Sequence, residues 1–346
     1  MKEWKFGIVG AGLIADFHAR AIGDIPNAKI VAICDIVEKK AKGMAEKYAC
    51  TPFTDYTDML KKGGVDVITI ATPSGLHMEP VVAAAENGIH VICEKPLEIT
   101  LERIDRMRDA HQQAGTRLGG VFQSRFNDSL EPVRRALAEG RFGTLTFGAA
   151  YVPWWRANEY YQDSWHGTWK LDGGGALMNQ SIHTLDLLYH LMGPIESVMA
   201  YTGKPGHPQI ETEDTAAAAL RFSNGALGLI YGTTASYPGQ LRRVEITGTG
   251  GTVVYEEDCI SVWQFAEEKP EDENIRRTFA SASGSGGAAD PAAIDYGKHT
   301  RNFTAFLEAL EKDTAFNIDA TEARKSVELI LAIYQSAREE RMIKLA

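Results

Sequence analysis

A lysine after an apolar run and a glycine-rich turn near the N-terminus are the first residues whose types could carry chemistry. Lys95 follows residues 90–94, which are typical of a short buried strand. The turn reads IVGAGLIA over residues 8–15, and glycines at this spacing suit a loop that admits a phosphate group. An amine and a phosphate-binding loop in this order indicate a nucleotide-dependent redox enzyme.

The glycine turn is typical of a dinucleotide site. Residues 5–10 suit a buried parallel strand, and residues 13–22 continue with helical spacing. We expect Gly10 to form a tight turn and Gly12 to let the backbone approach a pyrophosphate. The N-terminus of the following helix would present its N–H groups to the phosphates. A chance glycine turn is the alternative, and its place at the start of a strand-turn-helix series weighs against chance.

An acidic residue after the second apolar run indicates which dinucleotide is bound. Asp35 ends that run about 20 residues after the glycine turn, where such folds place a carboxylate against the ribose hydroxyls. Asp35 would also repel a 2′-phosphate, and Ile36 offers no guanidinium to hold one. The sequence therefore favours NAD, while Lys39 and Lys40 lie close enough to keep NADP as the alternative.

A second cluster with chemical potential is DGGGALMNQSIHTLDLL, residues 172–188. The glycines interrupt the chain, and residues 176–188 continue with helical spacing. Asn179, His183 and Asp186 lie four and three residues apart, which predicts that they share one helical face. A lone histidine on a mixed helix is more often structural, but three polar residues on one face favour a chemical role.

The elements that position these residues fall into two patterns. Up to residue 123, strands at 65–71, 90–94 and 117–123 alternate with helices at 79–87 and 101–114, which predicts a doubly wound parallel sheet. Ligands bind beyond the carboxyl ends of such strands. The predicted cofactor-binding residues are Gly10, Gly12, Leu13, Ile14, Asp35, Thr72, Pro73, His77, Glu94, Lys95 and Gln123.

After residue 124 the pattern predicts a mostly antiparallel sheet. Its expected strands are 145–152, 197–201, 215–222, 226–236, 242–247, 252–255 and 260–265, and its helices are 176–192, 298–311 and 321–340. The predicted fold class is therefore α/β, with an N-terminal Rossmann domain over residues 1–123. An α+β domain for substrate binding and oligomerisation covers residues 124–346, and its C-terminal helix could pack back on the first domain.

Composition indicates an ordinary cytoplasmic enzyme. A formal net charge of −10 argues against nucleic acid or an anionic membrane as partner. No apolar run approaches the roughly 20 residues that span a bilayer, and no signal peptide is expected. The four cysteines form no CxxC pair, so we predict reduced thiols and no metal site. Residues 280–289 are expected to form a mobile surface loop, either a linker or a lid.

Taken together, these motifs resemble those of the Gfo/Idh/MocA oxidoreductases, the glucose–fructose oxidoreductase and inositol dehydrogenase family. The resemblance covers the chain through GAGLIADFHARAI, VAICD, ATPSGLH, EKP, FQSRF and GGGALMNQSIHTLDLL. It implies hydride transfer between a nicotinamide cofactor and a secondary alcohol of a sugar or cyclitol. It also implies that Lys95 and His183 are the catalytic pair, that residues 94–96 form the turn beside the nicotinamide, and that the bond before Pro96 is cis.

The resemblance assigns a role to each catalytic residue. His183 would take the hydroxyl proton, since imidazole suits a base near neutral pH. Lys95 would hydrogen-bond the same oxygen and stabilise the developing alkoxide. Many sugar dehydrogenases of the family have aspartate four residues before the histidine, whereas this chain has Asn179, which can position a group but cannot accept a proton. In this respect it is similar to the UDP-sugar-uronate 3-dehydrogenases and to some unassigned sugar oxidoreductases.

Aromatic and basic residues crowd the segment 151–170. Aromatic faces stack on pyranose rings, and arginine pairs with carboxylate or phosphate; a subunit interface or a domain junction is the nearly equal alternative. The predicted substrate residues are Lys95, Arg125, Trp154, Arg156, Trp165, Asn179 and His183.

The sequence leaves two alternative functions open and predicts that the protein forms an oligomer. Some relatives use NAD transiently to cleave glycosides by oxidation, elimination and reduction, and a non-catalytic dinucleotide sensor is the other rival. One face of the antiparallel sheet must be covered, so we predict a homodimer or homotetramer built on it.

Overall fold

The structure, a computed structural model, describes residues 2–162, 164–280 and 296–345. The chain divides into two compact units. Unit 1 comprises Met1–Gln123, Lys170–Gly173 and Asp295–Val327, and unit 2 comprises Ser124–Trp169, Gly174–Ile294 and Glu328–Ala346. Unit 1 thus includes two segments that the sequence analysis assigns to the second domain. The loop expected at 280–289 lies, after its first residue, outside the described residues.

Unit 1 contains a six-stranded parallel sheet in the order β3-β2-β1-β4-β5-β6. The central strands are buried apolar runs, as parallel strands covered on both faces must be. The predicted doubly wound sheet is therefore confirmed. Its elements are β1 Trp4–Val9, α1 Leu13–Gly23, β2 Ala28–Cys34, α2 Glu38–Lys47, β3 Thr51–Phe53, α3 Tyr56–Lys62, β4 Val67–Ile70, α4 Met78–Glu86, β5 His90–Cys93, α5 Leu101–Ala114 and β6 Leu118–Gly120.

Local signals explain which of these elements could be predicted. The bounds of α5 match the prediction, because Thr100 accepts from the N–H of Arg103 at its start and Gly115 ends it with a φ of +67°. Helix α2 was not predicted; its sequence is dominated by charged residues, and it buries only Ala41, Met44 and Ala45.

Unit 2 contains an eight-stranded sheet in the order β13-β12-β11-β7-β10-β9-β8-β14. Its neighbours pair antiparallel except β7 and β10, so the predicted mostly antiparallel sheet is confirmed. The further elements are α6 Leu130–Ala138, β7 Leu145–Pro153, α7 Ile182–Met192, β8 Ile195–Gly203, β9 Thr215–Phe222, β10 Leu227–Thr233, β11 Arg243–Gly248, β12 Gly251–Glu256, β13 Cys259–Phe265, α8 Asp272–Phe279, α9 Gly297–Glu311, α10 Ala320–Glu339 and β14 Ile343–Lys344. Helix α9 belongs to unit 1, and the division between the units falls within α10.

Glycines in the sheet of unit 2 let a helical segment lie close against it. A Cβ added at Gly232 of β10 would lie 2.6 Å from Oγ of Ser181, and one added at Gly148 of β7 would lie 2.7 Å from Cγ of Met192. Both contacts are shorter than real Cβ contacts allow, so larger residues would push this segment off the sheet. The segment that carries the predicted catalytic histidine is thereby held against β7 and β10.

One helix of unit 2 was not predicted and one expectation needs correction. Helix α8 forms in the charged stretch after β13, where Asp272 accepts hydrogen bonds from Arg141 and from the indole of Trp263. The helix expected over 176–192 divides into a π-helical segment, Ala176–Ser181, and α7. Among the described residues, none of the helices is both long and apolar enough to cross a membrane.

Candidate active site

The glycine turn between β1 and α1 has the geometry that a dinucleotide requires. Gly10 adopts a φ of +102°, and a Cβ there would lie 2.4 Å from the carbonyl oxygen of Ala71. A Cβ at Gly12 would meet no atom within 4 Å, and Gly12 gives the first turn of α1 no side-chain cap. The residues present therefore fit a phosphate group, because Gly12 leaves free space in front of the N–H groups of the first turn of α1, which can donate to phosphate oxygens.

Asp35 lies beside this turn, at the end of β2. Its Oδ2 accepts from the N–H of Ala11 (2.9 Å), and its Oδ1 accepts from the N–H of Val37 (2.8 Å). The side chain is partly exposed, and the neighbouring Ile36 is 90% exposed. A carboxylate held at this point favours ribose hydroxyls and repels a 2′-phosphate, in agreement with NAD as the cofactor.

The remaining predicted cofactor residues follow the carboxyl ends of β4, β5 and β6, which share one edge of the parallel sheet. His77 is buried, and its ring nitrogens each lie 3.0 Å from a carbonyl oxygen, that of Thr72 and that of Pro96. The Lys95–Pro96 bond is cis, as expected. His77 thus joins the turn after β4 to the turn that carries Lys95.

Glu94 is the centre of a buried polar network. Its Oε1 lies 2.9 Å from Nε2 of His18 and 3.8 Å from Nε2 of His299, and its Oε2 accepts from the N–H of Lys95 (3.0 Å). Nδ1 of His18 in turn lies 2.8 Å from the hydroxyl of Thr69. The nitrogen and oxygen atoms of His18, Glu94 and His299 that could bind a metal ion lie within 4.8 Å of one another. The hydrogen bonds that Glu94 makes with His18 and with the N–H of Lys95 fix the turn before Lys95.

The network sets the ionisation of Glu94. Burial alone would raise the pKa of this carboxyl, but the hydrogen bond from His18 and the charges of His18, His299 and Lys95 outweigh burial and lower the pKa to about 2. Because the pKa in the folded protein lies below its ordinary value, the carboxylate stabilises the folded state above about pH 4.5, and this contribution is lost as the pH falls towards 2.

Replacing Glu94 with glutamine will therefore destabilise the protein in a pH-dependent way. We expect a loss of about 3 kcal/mol above pH 5, which shrinks as the pH is lowered. Urea unfolding of both proteins between pH 3 and pH 7 measures the difference, and other titrating carboxyls cancel in the comparison. A difference that stays constant over this range would contradict the assignment of the ionised state to Glu94.

In unit 2, the π-helical segment Ala176–Ser181 carries Asn179, and His183 is the second residue of α7. Nδ2 of Asn179 donates to Nδ1 of His166 (3.2 Å), and Oδ1 of Asn179 accepts from Nε2 of Gln180 (3.0 Å). Both Asn179 and His183 are half-buried. The π-helical segment replaces the start of the single α-helix that the sequence predicted, and Asn179 and His183 lie on either side of its junction with α7.

Asp186, the third residue of the predicted face, is held in a buried ion pair. It is 1% exposed and forms a bidentate ion pair with Arg125, with both N–O distances at 2.7 Å. Arg125, a predicted substrate residue, thus uses its guanidinium to hold α7. Breaking such a buried pair would leave an uncompensated charge, which is strongly unfavourable. The ion pair therefore holds α7, the helix that carries His183, in place.

The predicted substrate residues of segment 151–170 form an aromatic cluster. Arg156 is 3% exposed, donates from Nη2 to Oε1 of Gln180 (2.7 Å) and lies over the rings of Trp154 and Tyr160. Trp154 is buried, and no hydrogen-bond acceptor for its indole N–H is found among the described residues. The hydrogen bond to Gln180 therefore joins Arg156, and with it the aromatic cluster, to the π-helical segment.

Of the two tryptophans predicted to contact substrate in this cluster, Trp165 is the more exposed, since Trp154 is buried. It is half-buried, and its ring centroid is 4.1 Å from that of His166. His166 stacks on Tyr160 at 4.4 Å with an interplanar angle of 10°. These stacked rings adjoin Asn179 through the hydrogen bond to His166, and they offer flat apolar faces.

Sequence reasoning missed several residues that shape these sites. His299, Gln180 and Glu213 stood out in no local pattern, because their partners are brought to them only by folding. His18 offered the one available signal, since it is a histidine on the apolar face of α1.

Comparisons with known proteins agree with this geometry. Residues 4–121 match the oxidoreductase family with an NAD-binding Rossmann fold, and residues 131–254 match the GFO/IDH/MocA C-terminal domain. An uncharacterised oxidoreductase, YrbE of Bacillus subtilis, is 30% identical over 258 residues, 72% of this chain and 73% of the relative. The myo-inositol 2-dehydrogenase of Thermotoga maritima is 28% identical over 263 residues, 72% of this chain and 74% of the relative.

A solved structure matches the whole chain. The WlbA dehydrogenase from Bordetella pertussis, in complex with NADH and UDP-GlcNAcA, superposes with a TM-score of 0.92 at 36% identity. The match covers 100% of this chain and 98% of that one. With its Rossmann sheet, its glycine turn, its EKP turn and its eight-stranded second sheet, the chain belongs to the GFO/IDH/MocA family and is an NAD-dependent oxidoreductase.

Proposed function

We propose that this protein oxidises a secondary hydroxyl of a nucleotide-linked sugar uronate of the UDP-GlcNAcA type and reduces NAD⁺. Sugars and cyclitols in general form the wider substrate class. The observation that carries the proposal is the full-length match to a dehydrogenase solved with NADH and UDP-GlcNAcA. The asparagine at 179, in place of the aspartate common among sugar dehydrogenases of the family, supports the same choice.

The proposed chemistry assigns one task to each residue. NAD⁺, when bound, would supply the acceptor for the hydride that leaves the alcohol carbon. His183 takes the hydroxyl proton, and Lys95 donates a hydrogen bond that stabilises the alkoxide as it forms. Asn179 orients the substrate. Glu94 holds the turn before Lys95 through the N–H of that residue.

The cofactor roles fall to residues of unit 1. Gly10, Gly12, Leu13 and Ile14 form the phosphate turn, and Asp35 accepts from the ribose hydroxyls. Thr72, Pro73, His77, Glu94, Lys95 and Gln123 would line the nicotinamide side of the site. The substrate roles fall to Trp154, Arg156 and Trp165, whose aromatic faces and positive charge suit a sugar ring and a carboxylate or diphosphate. Arg125 would contribute by holding α7.

The first experiment follows NADH absorbance while the protein and NAD⁺ are mixed with UDP-GlcNAcA, UDP-glucuronate, free sugars, inositols and glycosides. We expect NADH with UDP-GlcNAcA and little with the corresponding free sugars; NADP⁺ should support a much lower rate. NADH from inositol but not from UDP-GlcNAcA would overturn the substrate proposed here. Release of an aglycone without NADH would indicate redox-neutral glycoside cleavage.

We also propose a cytoplasmic homo-oligomer that assembles on the open face of the unit 2 sheet. Side chains on this face include Tyr201 (70% exposed) on β8 and Leu227 (54%) and Leu229 (42%) on β10, the two strands that flank β9. A contiguous apolar face of this kind favours contact with a second copy. The four cysteines are free thiols, in keeping with a reducing compartment.

Replacing Leu229 with glutamate will shift the assembly towards the monomer, because the charge would be buried in the interface without a partner. Light scattering coupled to size exclusion at micromolar concentration measures the mass. Ile36→Glu is the matched control, since it places the same charge at an exposed apolar residue of unit 1. A wild-type protein of monomeric mass would contradict this assembly.

A further inference from the structure

Glu213 is a buried carboxyl group, 4% exposed, in the segment that precedes β9. Its Oε2 accepts from the N–H of Gly175 (3.0 Å), and its Oε1 accepts from the N–H of Leu177 (2.8 Å) and from the hydroxyl of Tyr334 (2.9 Å). Its backbone carbonyl accepts from the N–H of Ala176 (3.0 Å). Three successive N–H groups at the start of the π-helical segment therefore donate to this one residue.

These three N–H groups are ones that a helix cannot satisfy internally. The first N–H groups of a helix need acceptors from outside it, which a side chain at the N-cap position normally supplies. Here the N-cap residue is Gly175, which has no side chain. Glu213 supplies the missing acceptors from 36 to 38 residues further along the chain.

The fit around this carboxyl leaves no room for the segment to move towards it. A Cβ on Gly175 would lie 1.8 Å from the carbonyl oxygen of Glu213, and a Cβ on Gly174 would lie 2.2 Å from the Tyr334 hydroxyl. The ring of Trp169 packs edge-to-face against Tyr334, at 5.4 Å between centroids. Glycines at 174 and 175 thus allow the chain to approach Tyr334 and Glu213 closely.

The same segment carries the residues to which the proposed chemistry is assigned. Asn179 lies in it, and His183 follows two residues after its last residue, Ser181. Oγ of Ser181 donates to the carbonyl of Ala176 (2.8 Å), so the end of the segment is tied to the first turn that Glu213 holds. A displacement of that first turn would be transmitted to Asn179 and His183.

We propose that Glu213 is a positioning residue, whose carboxylate holds the first turn of Ala176–Ser181 and thereby orients Asn179 and His183. The proposal rests on the roles proposed above for these two residues. It assigns to Tyr334 the part of a second positioning residue, which acts on the segment through Glu213. Neither side chain acts on the reacting atoms.

The donors that surround the carboxyl agree with this role. Burial raises the pKa of Glu213 to about 7, and the hydrogen bonds from Leu177, Tyr334 and Gly175 work against this rise. All three partners donate, so the ionised carboxyl satisfies every one of them, whereas an amide in its place would point an N–H group at one donor. Glu213→Gln is therefore close in shape but wrong in hydrogen bonding.

The test compares wild type, Glu213→Gln and Tyr334→Phe in the NADH assay. We expect Glu213→Gln to lower kcat by about 10- to 100-fold, as small misplacements of reacting groups do, while the KM for NAD⁺ stays within about twofold. Tyr334→Phe should lower kcat less, by about threefold to tenfold, because one donor of three is removed. If the substitutions only destabilised the protein and left the segment undisturbed, neither variant would show a lowered kcat with an unchanged KM for NAD⁺.

Asp272→Asn is the matched control. Asp272 is also a fully buried carboxyl of unit 2 held by several donors, but these are Arg141, Trp263 and the N–H of Lys269. It is expected to lose stability while its kcat stays within about twofold of wild type. Comparison of the two variants separates positioning from a general loss of stability.

Hydrogen exchange of the backbone amides measures how firmly the segment is held, and it does not require the enzyme to be active. We expect the amides of Gly175, Ala176 and Leu177 to exchange at least about tenfold faster in Glu213→Gln than in wild type, and to be unchanged in Asp272→Asn. Unchanged exchange at these amides, or faster exchange with kcat within twofold of wild type, would overturn the proposal. If the wild type forms no NADH with any sugar, the proposed function fails; exchange then decides alone whether Glu213 holds the segment.

Discussion

Replacing His183 with alanine will lower kcat by about 10² to 10⁴-fold, the range that general acid–base catalysis contributes. The imidazole is the group to which we assign the hydroxyl proton, and alanine has nothing that can accept it. The KM for NAD⁺ should change little, because the phosphate turn and Asp35 lie in unit 1. The measurement is steady-state NADH formation with the best substrate of the panel.

The control for this variant is His190→Ala. His190 lies on the same helix and is exposed, so its loss removes an imidazole from α7 without touching the proposed chemistry. Lys95→Ala should also lower kcat strongly, since no other ammonium is assigned to the alkoxide. If the double variant of Lys95 and His183 turned over near the wild-type rate, the assignment of both residues would be wrong.

Replacing Gly10 with alanine will destabilise the protein by about 3 kcal/mol, because it combines backbone strain with a steric clash. The φ of +102° is one that side chains rarely adopt, and the new Cβ would lie 2.4 Å from the carbonyl oxygen of Ala71. Neither side of this contact is a flexible side chain, so relief requires the backbone of β1 or of the turn after β4 to shift. Urea unfolding measures the loss.

Gly12→Ala is the matched variant, and the opposite result is expected for it. Gly12 has a φ of −93°, and a Cβ would meet no protein atom within 4 Å, so stability should change by less than about 0.5 kcal/mol. Its methyl group would occupy the space that we assign to the pyrophosphate, and the KM for NAD⁺ should rise by about tenfold or more. An unchanged KM would show that the phosphates do not approach Gly12.

The sequence predicted the sheet of unit 1 well because its signals are local. Apolar runs, the glycine turn and the caps of α5 depend on neighbours within a few residues, and their elements appear within two or three residues of the predicted bounds. The same holds for the strands of unit 2, where alternation and turn signals mark β9 at both ends. The weakly apolar helices α2 and α8 had no comparable signal and were missed.

Periodicity alone could not reveal how the catalytic segment is built. The spacing of Asn179, His183 and Asp186 assumes 3.6 residues in every turn, and it cannot report that Ala176–Ser181 is π-helical. Glu213 and Gly232, which contact this segment, lie far along the chain. Nor could the sequence show that Asp186 is taken by Arg125, since a charge pair across 61 residues leaves no local pattern.

The sequence by itself determined the fold class, the dinucleotide turn, the preference for NAD and the identity of Lys95 and His183 as the residues to test. The fold class, the dinucleotide turn and the preference for NAD follow from residue types at short spacing, and the choice of Lys95 and His183 follows from the resemblance to the family. Only the tertiary structure decided which buried groups hold these residues: His18 and Glu94 before Lys95, and Glu213 at the start of the segment that leads to His183. The physical reason is that a buried polar group needs hydrogen-bond partners. Here these partners are distant in sequence and come together only when the chain folds, so no local pattern predicts the pairing.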